Sequence, residues 1–570
     1  MEGSRKLFFR MFSELDAFHL AFERSDPMNL PLTPQQAQWV DKTLHSLTME
    51  QCVGQLLQVT QPFTSAAEWL AFLEKVPIGA MSARVPTAEA YHAILDGLQR
   101  AASIPLFAIA NMEHGAAEWP NFGTDFPALM AAGAANDLGL IAELGKATAM
   151  EARQIGVNWC LTPVVDLNYN FDNPVLNTRS MGDQPDRVAR LASALIQALQ
   201  TQGVAATAKH FPGDGMDSRD QHLVTTVNNL PYDQWLETYG RVWKQVIGAG
   251  VWTIMPGHIS LPAYQGFHER PEDAPPATIS RELLQTLLRQ ELGFDGVIVS
   301  DATGMMGFAS RLPPAERAVA AINAGIDLYL DTKPDVDYPA LLAAVRDRRL
   351  SEERVKDAAR RVLSLKARLG LVEEPFGPAP TAAETASFAQ AAQAMADQSV
   401  TLVRAKDPFP LSLPEGTKIL TVTIMPTNTM RPLPDLTAFD EELKKRGFLV
   451  EHLLNPRSDE LRAKAQEHAL VFINVNVEPM MTLGSVRVMV GSFGNWGWRS
   501  LFTEHPQVVY TSFGNPYLTF ELPQAPTIAA AYGGSVMAQR AAVKFWLGEI
   551  SPQGTLPVEL PRVKIQPLPR

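Results

Sequence analysis

Between residues 38 and 375 the chain alternates short apolar runs with longer stretches of helical periodicity, and the runs number eight: residues 55–60, 79–83, 106–111, 157–167, 206–213, 252–260, 296–301 and 327–331. Runs that stay apolar without strict alternation are what strands buried on both faces require. The segments between them, such as 88–101, 138–155, 187–202 and 281–292, carry apolar residues at three- and four-residue spacing with charges between, as helices lying on a core do. Strand–helix alternation builds a parallel sheet, and eight units close it into a barrel. The fold class expected is α/β: a (β/α)8 TIM-type barrel followed by a smaller α/β sandwich domain.

The second domain is expected because the stretch EEPFGPAPTAAE, residues 373–384, has the Pro/Ala composition of a linker, after which periodicity restarts. Strand-like runs at 418–425, 448–454, 469–477, 508–512 and 527–532 alternate there with helical stretches at 435–445, 459–468 and 535–547. No Gly-rich phosphate fingerprint follows any of these runs, which argues against a nucleotide site. The division expected is 1–37 as an N-terminal extension, 38–375 as the barrel, 376–395 as a linker and 396–570 as the second domain. A length of 570 residues is compatible with two large domains or several small ones. The eight runs decide for two.

Charge narrows the partners. Lys and Arg total 49 against 61 Asp and Glu, a net −12 that argues against nucleic acid or an anionic membrane surface. Two cysteines, Cys52 and Cys160, exclude a disulfide framework and an all-cysteine metal site, and both are expected in the apolar core. The leading segment carries Arg10, Glu14, Asp16 and Glu23 where a signal peptide needs an uncharged stretch, so a cytoplasmic location is the expectation. Its run LFFRMFSELDAFHLAF has helical periodicity. The longest uncharged stretch, 522–539, is broken by two Pro and two Gly, which is wrong for a membrane span.

Polar residues collect where the barrel runs end: Asn111, Asp166, Lys209 with His210, His258, Asp301 and Asp331. Barrel enzymes place their chemistry at that face. Any one such residue is more often a loop hydrogen-bonder; six run ends so furnished at one mouth point to a site. The densest segment is AKHFPGDGMDSRDQHL, residues 208–223, in which Asp220 lies two positions before His222. A carboxylate that hydrogen-bonds an imidazole fixes its tautomer and favours its protonated form, giving a proton donor suited to neutral pH. Asp301 follows the apolar run 297–299 and can serve as base, nucleophile or metal ligand. No ligand-like spacing accompanies it, so metal is the weakest of the three. Asp295, before that run, is expected at the opposite face as a turn residue. A mouth with one carboxylate and a separate proton donor suits glycoside hydrolysis, in which retention needs a nucleophile and an acid/base about 5 Å away.

These segments resemble family 3 glycoside hydrolases, in particular the bacterial β-N-acetylglucosaminidases of that family. KHFPGDG is similar to the family's KHFPGHG, and PATISRELLQTLLRQELGFDGVIVSDA to the segment that carries its nucleophile. NTRSMGDQPDRV is similar to the RSFG segment, and SFGNPY with GEISPQGTLPVELP to the accessory C-terminal domain. The resemblance implies Asp301 as nucleophile, and Asp220 with His222 as the Asp-x-His acid/base of the glucosaminidase branch. It implies Lys209, His210 and Arg179 as sugar-binding residues, with Asn111 at a position where the family usually has Asp. The β-glucosidase branch takes its acid/base Glu from the second domain, and no matching motif is found in this sequence.

Three departures accompany the match. Asn111 makes a charged sugar acceptor neutral, Trp119 stands where the family has Arg and offers a stacking face, and Asp214 and Met216 replace the usual His and Asp of the loop. The function implied is a retaining exo-β-N-acetylglucosaminidase acting on cell-wall- or chitin-derived fragments. Its same-family alternative is a β-glucosidase or β-xylosidase, and its different-class alternative a catalytically weak sugar-binding protein. Because a histidine that has lost its proton is neutral, phosphate is expected to compete with water as acceptor. No cofactor or metal is implied, and the partner is a small carbohydrate. The second domain is left to complete the pocket wall, support a homodimer or stabilise the barrel.

Overall fold

The computed structural model describes residues 32–561 apart from 86, 119–121, 407–408, 427–431, 479–480 and 482–494. The strands of the first half are β1 (Gln58–Gln61), β2 (Ala80–Ala83), β3 (Phe107–Ala110), β4 (Trp159–Cys160), β5 (Ala205–Phe211), β6 (Thr226–Val227), β7 (Thr253–Pro256), β8 (Ile259–Ser260) and β9 (Val297–Ile298). Seven of them pair in parallel in the order β1-β2-β3-β4-β5-β7-β9. The eighth run closes the ring through two parallel bridges, Val299 with Leu328 and Leu57 with Tyr329. This is the TIM-type barrel expected from the run pattern.

Its interior is filled by residues two apart on the strands, Phe107 with Ile109 and Val297 with Val299, together with Trp159, Met255 and Leu328. The buried Trp159 indole stays satisfied by donating to Thr207 Oγ1 at 2.7 Å. Val362 and Leu365 of the helix Glu352–Arg368, with Leu369 and Leu371 after it, join the same cluster and plug the N-terminal end of the barrel. The helix expected over 281–292 is present as Glu282–Glu291 but is π-wound. Both cysteines are buried and free. Asp295 lies before β9 and pairs with Arg361 of Glu352–Arg368 at 2.7 Å, away from the mouth.

The second sheet contains β10 (Thr401–Arg404), β11 (Lys418–Ile424), β12 (Leu449–Leu454), β13 (Leu470–Val475), β14 (Val508–Ser512) and β15 (Ile528–Ala530). Their order is β10-β15-β14-β13-β11-β12, parallel except for β10 against β15. The five expected strands are there, and β10 is an addition at the edge. Within residues 376–395, which composition assigns to a linker, a helix begins instead: Ala382–Ser399. Thr381 and Glu384 start it with a reciprocal capping box. Its Phe388 and Met395 pack on the barrel core and its Ala396 on the second core, so the connection is a shared, buried element.

The two halves meet along the barrel helix Leu129–Ala135, whose Met130, Ala131 and Ala134 pack with Tyr517, Tyr532 and Val558. The LPVELP segment then runs back onto the barrel. Asp183 N–H donates to the Pro557 carbonyl at 3.1 Å, and Glu559 N–H donates to Asp183 Oδ2 at 2.6 Å. The helical run expected within 1–29 and the stacking face expected of Trp119 lie outside the described residues. No helix among the described residues is long and apolar enough to cross a membrane.

Candidate active site

A cavity of about 800 Å³ opens at the C-terminal mouth of the barrel. Six of the residues singled out in the sequence line it: Asn111, Arg179, Lys209, His210, His222 and Asp301. Asp220 stands behind His222. Of the other strand-end residues, Asp331 also lines the cavity, whereas Asp166 and His258 are fully buried behind it.

Asp301 follows β9 and accepts the N–H of Ala302 on Oδ1 at 2.7 Å. Its Oδ2 takes no hydrogen bond among the described residues and lies 3.9 Å from His210 Nε2. Burial alone raises a carboxyl pKa, but His210, His258 and the Ala302 N–H outweigh it and hold Asp301 below its ordinary value. It is therefore ionised with one oxygen open. His210 is fixed from the other side, its Nδ1 2.7 Å from Asp166 Oδ2.

The loop after β5 carries the second group. His222 Nδ1 lies 2.6 Å from Asp220 Oδ1, which also accepts the His222 backbone N–H at 2.8 Å. The loop is stapled to its neighbours by β6 pairing with β8, by Met306 N–H donating to the His222 carbonyl (2.8 Å) and by Gly307 N–H donating to the Gln221 carbonyl (3.2 Å). At Gly307 a side chain is excluded, since its Cβ would lie 2.5 Å from the Gln221 carbonyl oxygen. With Nδ1 committed to Asp220, Nε2 is the nitrogen left for proton transfer.

Lys209 and Arg179 are tied together by a residue that sequence reasoning did not name. Glu113, after β3, accepts from Arg179 Nε (2.9 Å) and Nη2 (2.6 Å) and pairs with Lys209 Nζ at 2.7 Å. Burial would raise its pKa, yet these two cations hold it well below the usual carboxylate range. The signal was available in NMEHGAAEW: two cations at a buried mouth need a carboxylate, and Glu113 is three positions past the end of β3. A second missed residue is Glu478, which comes from beyond β13 and lines the same cavity with Gly533, Gly534 and Ser535. Burial raises its pKa, with the Gly534 N–H opposing. Facing it is His114, which burial pulls down but Asp125 and Glu118 push up to about 9. The second domain thus completes part of the pocket wall.

Comparison with known proteins follows the same lines. Residues 48–365 match the family described as Glycosyl hydrolase family 3 N terminal domain. The chain is 33% identical over 551 residues to a beta-N-acetylglucosaminidase/beta-glucosidase of Cellulomonas fimi, covering 91% of this chain and 95% of that protein. It is 37% identical over 191 residues to a beta-hexosaminidase of Methylobacillus flagellatus, a match spanning 34% of this chain and 52% of that one. Among solved structures, a beta-glucoside phosphorylase aligns with TM-score 0.83 at 30% identity, covering 94% of this chain and 97% of the other. A family 3 beta-N-acetylglucosaminidase from Paenibacillus sp. str. FPU-7 aligns with TM-score 0.79 at 28% identity, covering 90% and 99%.

Proposed function

This chain belongs to glycosyl hydrolase family 3 and is a glycoside hydrolase, and from that premise we propose that it is a retaining, exo-acting β-N-acetylglucosaminidase. Its substrates are cell-wall- or chitin-derived oligosaccharides ending in N-acetylglucosamine. The observation that carries this proposal is the Asp220–His222 pair at 2.6 Å on the same cavity as Asp301. In the first step Asp301 Oδ2 attacks the anomeric carbon while His222 Nε2 gives its proton to the departing oxygen. The bond to the leaving group breaks and a glycosyl ester on Asp301 forms. In the second step neutral His222 takes a proton from water, the water oxygen attacks the anomeric carbon and the ester breaks. Lys209, Arg179, His210 and Asn111 bind the sugar; the Glu113 bridge holds the two cations in place and lowers the net charge they present.

An Asp301→Ala variant is expected to lose at least about 10³-fold in kcat on an aryl β-N-acetylglucosaminide. His222→Ala is expected to lose about 10²–10⁴-fold on substrates with poor leaving groups. Full activity of the Asp301 variant sinks the proposal.

A second reading, β-glucosidase or β-xylosidase activity, is favoured by Glu478, an acid from the second domain on the cavity wall. A panel of aryl glycosides separates the two. Glucoside turnover that survives His222→Ala but is lost in Glu478→Gln selects the second. Phosphate as acceptor follows from the neutrality of His222 after proton transfer, since a neutral imidazole repels an incoming anion less than a carboxylate does. Added phosphate is expected to divert product from the free sugar to the sugar 1-phosphate.

A further inference from the structure

The acid/base loop is gripped at its middle residue from two sides. Gln221 Oε1 accepts the backbone N–H of His258 at 2.9 Å, and Gln221 Nε2 donates to Asp214 Oδ2 at 3.2 Å. Asp214 is only 2% exposed. Its Oδ1 accepts from Gly215 N–H at 2.6 Å and Asn173 Nδ2 at 2.9 Å, and its own N–H donates to Asp166 Oδ1 at 2.7 Å. Asp166 in turn holds His210, whose Nε2 approaches Asp301. A continuous line of contacts therefore joins the nucleophile to the acid/base pair through His210, Asp166, Asp214 and Gln221.

We propose that Asp214 is a positioning residue for proton transfer: by holding Gln221 it keeps the Asp220–His222 pair in register with Asp301. The proposal rests on the assignment of His222 as acid/base. Asp214 does not line the cavity, and the contact it makes toward the acid/base pair is the one to Gln221. A carboxylate is a costly choice there. Burial and the charge of Asp166 push it up to about 7, with His210 pulling the other way, and the Tyr239 hydroxyl donates to its backbone carbonyl at 2.7 Å. What a carboxylate offers is acceptance on both oxygens at once. An amide in its place cannot do this: either its NH₂ meets the Gln221 NH₂, or it turns and loses Gly215 and Asn173. Gln221 cannot turn to compensate, because its oxygen is committed to His258. The loop's other staples, at Met306, Gly307 and β8, do not involve Asp214, so it stays folded when this contact is broken.

The test uses Asp214→Asn, Gln221→Met and the double variant, with His222→Ala alongside, on the aryl β-glycoside series the wild type turns over. Poor (phenyl) and good (2,4-dinitrophenyl) leaving groups are compared, with azide present so that breakdown of the glycosyl-enzyme needs no base. Each single variant is expected to lose about 10- to 100-fold in kcat on the phenyl substrate and less than about twofold on the dinitrophenyl one. The double variant is expected to be no worse than the poorer single. Equal losses on both substrates, additive losses, or no loss overturn the proposal. If His222→Ala itself shows no leaving-group dependence, the acid/base assignment falls and the proposal with it; if it does and the other variants do not, the proposal alone falls. Melting temperatures are measured for all, and if Asp214→Asn fails to fold, Gln221→Met decides the outcome.

Discussion

The two ends of the barrel bury charge in opposite ways. At the mouth the buried carboxylate of Glu113 is matched by two cations, Lys209 and Arg179. At the floor, Lys366 of the plugging helix is fully buried, with its ammonium 2.7 Å from the neutral Gln55 Oε1 and 5.2 Å above the Phe107 ring. Burial brings that amine down to about 7. The difference teaches that burial alone does not decide what a charged group is for. The matched Glu113 stays ionised and helps hold a field for a ligand, whereas Lys366, with only neutral groups beside it, is a load the fold carries.

The largest effect is expected from making the mouth resemble the floor. Glu113→Ala leaves the buried Lys209 and the half-buried Arg179 without their carboxylate, which costs about 3–5 kcal/mol of stability, read by urea denaturation, and abolishes saturable sugar binding. A stability loss under about 1 kcal/mol breaks the contrast, because it means the cations were not relying on Glu113.

The reverse change at the floor is smaller. Lys366→Met is expected to stabilise the protein by about 1–4 kcal/mol. The gain depends on pH in a fixed sense. The folded pKa, about 7, lies below the unfolded value near 10.4, so between them the unfolded chain holds a proton that the folded one lacks. Wild-type stability attributable to this group therefore rises with pH across that window, and below pH 7 the penalty is complete. Melting curves should show the variant's advantage greatest near pH 6 and fading by pH 10; a constant advantage removes the electrostatic explanation. Smallest is Asn111→Asp, which adds a charge at the exposed rim. It is expected to change kcat/KM by about fivefold and to shift preference among aryl glycosides, with stability unchanged.

The barrel was legible because strands buried on both faces must be apolar throughout, and all eight runs found their places. The last of them, 327–331, forms only isolated bridges, yet its apolar character gave it away. Edge strand β10 was not legible: three of its four residues are half-buried and its sequence, TLVR, carries neither a long apolar run nor alternation. The helix inside the expected linker was announced by Thr381 and Glu384, a capping signal that the surrounding Pro and Ala concealed. Of the site, the residues on or just after strands were readable from where strands end. Glu113 was readable by the same rule and was passed over, whereas Glu478 was not readable, because its importance comes from neighbours far away in sequence that only the folded chain brings within reach.

The contact of Pro557 and Glu559 with Asp183 has a consequence in time. Asp183 belongs to the loop that also presents Arg179, so a wall of the cavity is held by a segment translated long after the barrel itself. Domains fold as they emerge, first half first. The barrel strands and the nucleophile are therefore made before the brace for the Arg179 loop, and each new molecule completes its binding rim only once residues 557–559 have joined it.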